Sequence, residues 1–171
     1  ASAKKSTGMM DFHLAQNILK EAAKIGVSSI KVNWRGEPTL YPHFEQISRV
    51  AHSLGFVDIM LNTNGMYVNN NIKIALYNYY TTVVFSIDAY DTQIFRQCRS
   101  GASPDLIYRN FQEIAEHRQK YNKPEFLVLN HVRQKINWNE YNILKELCER
   151  KDIKFRAMLA FPRTDIELHD E

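Results

Sequence analysis

Short apolar runs alternate with helix-period segments along the whole chain, and hairpin turns between them are scarce. No other feature limits the fold as much. Strand, helix, strand in succession make a parallel unit under the right-handed crossover rule, so repeated alternation builds an α/β sheet covered by helices. Phe12, Ala15, Ile18, Leu19, Ala22 and Ile25 recur at helical spacing, and Gly26 closes the segment. An apolar run at 30–34 predicts a strand. Residues 42–54 read as a helix burying Phe44, Ile47, Val50 and Ala51, and 56–62 as a second strand. Thr63-Asn64-Gly65 is a left-handed turn signature. A short helix at 71–77 and a β-branched strand at 82–88 follow. Pro104 opens a long helix capped by Ser103; a strand at 126–132, a helix at Glu140–Arg150 and a strand at 155–161 end the series.

Five strands and five helices are too few for a closed eightfold barrel and suit an open α/β sheet or a partial barrel. The series opens on a helix, whereas a parallel α/β domain usually opens on a strand, so an upstream strand is expected. At 171 residues, 44% hydrophobic and 24% charged, the chain makes one ordinary domain with a sizeable core. No apolar run approaches the ~20 residues that span a bilayer, and the polar start has no signal-peptide h-region. Two cysteines, Cys98 and Cys148, are too few for a disulfide framework and point to a reducing, cytoplasmic setting. The net charge of +3 is modest and the basic residues are dispersed, so neither membrane nor nucleic acid is indicated as a partner. The six histidines lack metal-ligand spacing. Tyr77, Tyr79 and Tyr80 read as packing of the short helix, and residues 113–118 as a solvated helix face with i,i+4 pairing. The acidic residues 164–171 read as a tail or linker.

Ligands of parallel sheets bind at the carboxyl ends of the strands. Here those ends carry Arg35-Gly36-Glu37-Pro38, then Asn62-Thr63-Asn64-Gly65, then Ser86-Ile87-Asp88, while the fourth strand holds Asn130, His131 and Arg133. Each residue taken singly reads as a turn former or a helix cap. Together, on successive strand ends, they suit a polar small-molecule cofactor, with amides and hydroxyls for its hydroxyls and a carboxylate for its amine.

In order and spacing, the stretches WRGEPTLYPHF, LNTNG and FSIDAYDTQIFRQCRSGASPDLIYRNFQEI resemble the radical S-adenosylmethionine (SAM) enzymes. The branch with a C-terminal SPASM or Twitch extension is the most similar. Asn137-Trp138-Asn139-Glu140 resembles that family's Asn-x-x-Glu turn after the fifth barrel strand. The resemblance runs from Met9 to Phe161. It implies a partial (β/α)6 TIM-like barrel of parallel strands over residues 1–163, with the first strand and its cluster loop missing. It further implies that the backbone of Arg35-Gly36-Glu37-Pro38 binds the SAM amino group, with Glu37 shaping the turn. Thr63 and Asn64 would lie near the methionyl or ribose part, and Ser86 would contact the ribose or carboxylate. Asp88 would fix the following turn. Arg99 would pair with the SAM carboxylate, with Arg96 as its rival, and Asn130 would reach the adenine or ribose. Arg35 stands where many relatives have glycine, so its guanidinium points either to an anionic ligand or to solvent.

One departure outweighs the matches. The family's Cys-x-x-x-Cys-x-x-Cys loop holds a [4Fe-4S] cluster, which cleaves SAM to a 5′-deoxyadenosyl radical for hydrogen abstraction from substrate. The chain has no such motif, so no catalytic residue and no metal ligand is assigned in it, and Cys98 and Cys148 read as small core hydrophobes. The resemblance thus implies the core of a radical SAM enzyme whose cluster ligands lie upstream, inactive by itself. The parent would act on a peptide, sugar or metabolite and take electrons from a donor such as flavodoxin or ferredoxin. The alternative is a degenerate, non-catalytic SAM-binding or scaffold domain of the same fold. An unrelated enzyme of phosphorylated metabolites would need a glycine-rich phosphate loop, which the six glycines do not form.

Overall fold

The computed structural model describes residues 8–33 and 36–160. In chain order it runs α1 (Phe12–Lys24), β1 (Ser29–Lys31), a 3-10 turn (Pro38–Leu40), α2 (Phe44–Ser53), β2 (Asp58–Thr63), α3 (Asn70–Tyr79) and β3 (Thr82–Ser86). Then come α4 (Thr92–Cys98), α5 (Pro104–Tyr121), β4 (Phe126–Arg133), a second 3-10 turn (Lys135–Asn137), α6 (Glu140–Arg150) and β5 (Lys154–Leu159). The strands form one sheet in the order β1-β2-β3-β4-β5, every pair parallel. This is the parallel α/β sheet that the alternation implied, an open sheet or partial barrel of five strands.

The sheet has two unlike faces because side chains alternate along each strand. Ile59, Leu61, Val83, Phe85, Ile87, Leu127 and Leu129 are fully or almost fully buried and share one core with Leu76, Ile107, Phe111, Ile114 and Leu144 of the helices. Burying a side chain of this size contributes about 1.5–3 kcal/mol, which is what docks the helices on this face. Register places Met60, Asn62, Val84, Ser86, Val128, Asn130 and Arg156 on the other face. Val84 and Val128 are buried yet lie outside the helix-side core. That second face is open and carries polar groups.

The elements differ from expectation where local chemistry was weak. Helix α4 is additional: it has seven residues, one of them buried, so no periodicity announces it. Its start is fixed by Asp91, whose carboxylate accepts the amides of Gln93 and Ile94 at 2.8 and 2.9 Å. Ser103 precedes α5 but makes no side-chain cap, while Pro104 opens the helix at its first position, as expected. Strand β1 ends at Lys31 rather than 34, β2 reaches Thr63 and β3 stops at Ser86. Trp34, Arg35 and residues 161–171 lie outside the described residues. Helix α3 is longer than expected, from a cap at Asn69 that accepts the Ile72 amide at 3.0 Å. Glu113 does not pair within its own helix; it takes Lys73 of α3 at 2.6 Å. The tyrosines do pack α3: Tyr80 is buried and stacks on Phe44, with its hydroxyl 3.0 Å from Ser48 Oγ.

Candidate functional site

The first strand-end turn is knotted to the second. Gly36 adopts φ +82°, the left-handed region that glycine enters freely. Beyond it, the Glu37 carboxylate accepts the Thr63 hydroxyl at 2.7 Å and the Thr39 hydroxyl at 2.8 Å through one oxygen. Its other oxygen accepts the Asn64 amide at 2.7 Å. Thr63 is buried and its hydroxyl also accepts the Gly65 amide at 3.0 Å, while Asn64 Oδ1 accepts the Met66 amide at 2.8 Å. The side chains of Glu37, Thr63 and Asn64 are thus committed to each other and to their turns. Gly65 has φ +76°, and a Cβ there would come 2.9 Å from the Phe85 ring. Its carbonyl accepts Nδ2 of the buried Asn110 at 2.7 Å. A cavity of about 800 Å³ borders this knot, with Lys31, Asn33, Gly36 and Glu37 on one side and apolar residues of α1 and α2 on the other. Arg35, expected beside it, is not among the described residues.

The third strand end is held by a second network. Asp88 is buried; one oxygen accepts the Val132 amide at 2.8 Å and the other accepts Arg99 Nε at 2.6 Å. Asn137, fully buried, donates to the carbonyls of Asp88 and Val132 at 2.8 and 2.9 Å. Glu140, also buried, accepts the amides of Tyr90 and Asp91 at 2.5 and 3.0 Å. The Tyr108 hydroxyl donates to the Ala89 carbonyl, and burial pushes its pKa well up, so it remains a donor. The Asp88 carboxylate, expected to fix the following turn, instead ties the end of β3 to β4 and to Arg99. The turn itself is clamped by Asn137 and Glu140 of the Asn-x-x-Glu segment and by Tyr108. Sequence reasoning named Asn137 and Glu140 as a motif and assigned them no task. Arg99 is held against the strand end, its terminal nitrogens making no bond among the described residues. Arg96 faces outward to Asp105 at 4.0 Å, both side chains largely exposed.

At the level of Ser86 the register brings three polar residues into a row: Ser86 pairs with Asn130, and Asn130 with Arg156. The Ser86 hydroxyl is half-buried and has no hydrogen-bond partner among the described residues. Asn130 is buried and its Oδ1 accepts Arg156 Nε at 2.7 Å. Arg156 was missed at the sequence level, although an arginine inside the apolar run of β5 was a visible signal. The other polar residues of β4 leave this row. His131 is fully buried on the helix side against Phe155 and Tyr141, with neither ring nitrogen partnered among the described residues, and burial lowers its pKa. Arg133 lies over the Trp138 ring at 3.8 Å and near the Tyr141 ring at 4.5 Å.

The donor set fits SAM and does not fit the cluster. A free serine hydroxyl, an arginine fork, a carboxamide and exposed main chain beside a left-handed glycine answer to hydroxyls, a carboxylate and an ammonium. For a cluster, no group of three or more histidine, cysteine or acidic side chains converges among the described residues. Cys148 is buried on α6 and Cys98 half-buried on α4; burial raises both thiols, Cys148 to about 12, away from the thiolate a metal requires.

No family model matches the chain. A curated relative, the S-adenosyl-L-methionine-dependent tRNA 4-demethylwyosine synthase of Methanocaldococcus jannaschii, is 29% identical over 94 residues, 55% of this chain and 28% of its own length. Among solved structures, Streptococcus suis SuiB bound to S-adenosylmethionine superposes with a TM-score of 0.73 at 22% identity, covering 88% of this chain and 34% of SuiB. SuiB bound to its precursor peptide SuiA matches at 0.71. Native anSMEcpe with bound AdoMet and Kp18Cys peptide gives 0.70 at 17% identity, covering 95% of this chain and 48% of that one. The chain spans less than half the length of each of these proteins. The chain thus shares the parallel α/β fold of these S-adenosylmethionine-bound structures, the fold that the resemblance of its motifs implied.

Proposed function

We propose that this chain is the SAM-binding core of a radical SAM enzyme whose iron–sulfur cluster is held by residues other than those described. The supporting observation is the rim itself: two knotted turns, an anchored arginine and an unpartnered Ser86 line up on successive strand ends, in the order the resemblance requires. The main chain around Gly36 receives the SAM ammonium. Ser86 and the terminal nitrogens of Arg99 receive its carboxylate or ribose, and Asn130 its ribose or adenine. Glu37 and Asp88 touch no ligand. They are positioning residues that keep the turn and the arginine in place. The cluster, where the parent protein carries one, supplies the electron for SAM cleavage, drawn from a donor such as flavodoxin or ferredoxin. The substrate under this reading is a peptide, as the peptide-bound SuiB and anSMEcpe structures suggest by analogy.

Calorimetric titration of SAM into the full chain tests the pocket. Ser86→Ala should weaken SAM at least tenfold, and Glu37→Gln should weaken it through a loosened turn. A Ser86→Ala chain that binds SAM like the parent would sink the assignment. A second reading, a SAM-binding or scaffold domain without radical chemistry, is favoured by the lack of a cluster ligand set among the described residues. Anaerobic iron reconstitution of the longest natural form separates the two, since only the enzyme retains four irons per chain.

A further inference from the structure

We propose that Arg156 is a substrate-recognition residue whose guanidinium binds a carboxylate on the peptide over the open face of the sheet. The inference rests on the SAM and peptide reading above and goes beyond it. Arg156 stands at the carboxyl level of the sheet, in register with Asn130 and, one strand further, Ser86. Strand spacing puts it about 10 Å from Ser86, beside the proposed cofactor rim rather than within it. The bond from Nε to Asn130 Oδ1 at 2.7 Å fixes one edge of the fork to a buried amide. Its terminal nitrogens make no bond among the described residues and can take a planar carboxylate by two parallel bonds.

The charge around it points the same way. Lys31, Lys154 and Arg156 share this face, and among the described residues no carboxylate pairs with any of them. The two acidic residues of the rim are already engaged: Glu37 by Thr39, Thr63 and Asn64, and Asp88 by the Val132 amide and Arg99. On β5 itself this face therefore presents two cations, Lys154 and Arg156, the second of them pre-oriented. Asp58, the carboxylate of β2 on the same face, lies three strands away and is held by Ser29, Thr81 and Thr82. A charge pointing inward on an outer strand can also serve to discourage edge pairing. That role needs no buried amide as anchor, and Asn130 spends its carbonyl on one.

The test uses N-acetyl-L-glutamate and N-acetyl-L-glutamine as probes of one shape and different charge. Each is titrated into the full chain by amide and arginine-Nε NMR, with and without saturating SAM. The glutamate should bind at least tenfold more tightly than the glutamine and shift the Arg156 Nε signal. Arg156→Gln should erase that preference, Arg156→Lys should keep only part of it, and SAM affinity should stay within twofold in both. Equal binding of the two probes to the parent chain overturns the proposal. So does a tenfold loss of SAM affinity in Arg156→Gln, because the arginine then serves the cofactor's own carboxylate. A parent chain that binds no SAM overturns the cofactor reading alone, while the titration without SAM still decides the role of Arg156.

Discussion

Glu37 and Ser86 lie on one rim and answer opposite questions. Glu37 receives four hydrogen bonds from Thr39, Thr63 and Asn64, so Glu37→Gln should cost about 2 kcal/mol of stability in urea unfolding. Ser86 holds nothing in place, so Ser86→Ala should stay within about 0.5 kcal/mol while losing SAM. The two glycines of the rim separate in the same way. Gly36 needs only its φ, because a Cβ there meets nothing within 4 Å, and Gly36→Ala should cost about 1–2 kcal/mol. Gly65→Ala carries the same strain and also drives a methyl into Phe85 and Ile107, so about 3 kcal/mol or more is expected. His131 sets an acid limit. Burial holds its folded pKa below the ordinary 6.5, with Arg133 adding to the effect and Asp88 opposing it. The unfolded chain takes up a proton that the folded chain refuses, so its contribution is flat above about pH 7. Stability then falls as the pH drops below 6.5, by at most about 1.4 kcal/mol per unit. His131→Phe should flatten that limb of the unfolding profile. At this scale the sequence disclosed which residues gather, since Gly36, Glu37, Thr63, Asn64 and Ser86 all appear at strand ends. It did not disclose that Glu37 and Thr63 would satisfy each other, because hydrogen bonds across 26 residues depend on register.

Among the elements, the loop between β3 and α4 depends on a helix fifty residues away. Glu140 at the start of α6 takes two amides of that loop with a single carboxylate oxygen. Glu140→Ala strands both, and about 2–3 kcal/mol should be lost in chemical denaturation. Glu140→Gln keeps an acceptor oxygen and should lose less than half of that. Equal losses in the two variants would mean that charge rather than hydrogen bonding holds the loop. The strong elements were legible because their apolar periods are long, as in β3, β4 and α5. Helix α4 was not, since seven residues with one buried side chain carry no period, and its signal was Asp91 alone. Ser103 shows the converse: a favourable residue type before a helix does not oblige it to cap.

For the molecule as a whole, the strict alternation of elements was enough to read a parallel sheet, because topology follows from order under the crossover rule. The open face was not readable, since Arg156 joins Asn130 and Ser86 only once three strands lie in register. A ligand held by the folded state alone raises the unfolding temperature. SAM at one hundred times its dissociation constant should therefore add about 2.7 kcal/mol, roughly 5–10 °C for a domain of this size, by scanning calorimetry. Absence of any shift at saturating SAM would remove the cofactor reading. The grip of Glu140 has a separate consequence for how this protein can vary over generations. It seizes Tyr90 through the backbone, and Tyr90 is 53% exposed, its ring meeting the edge of the structure at Tyr108. The identity of that residue is thus free to drift next to the rim while the loop keeps its shape. Proline, which has no amide to offer, is barred there.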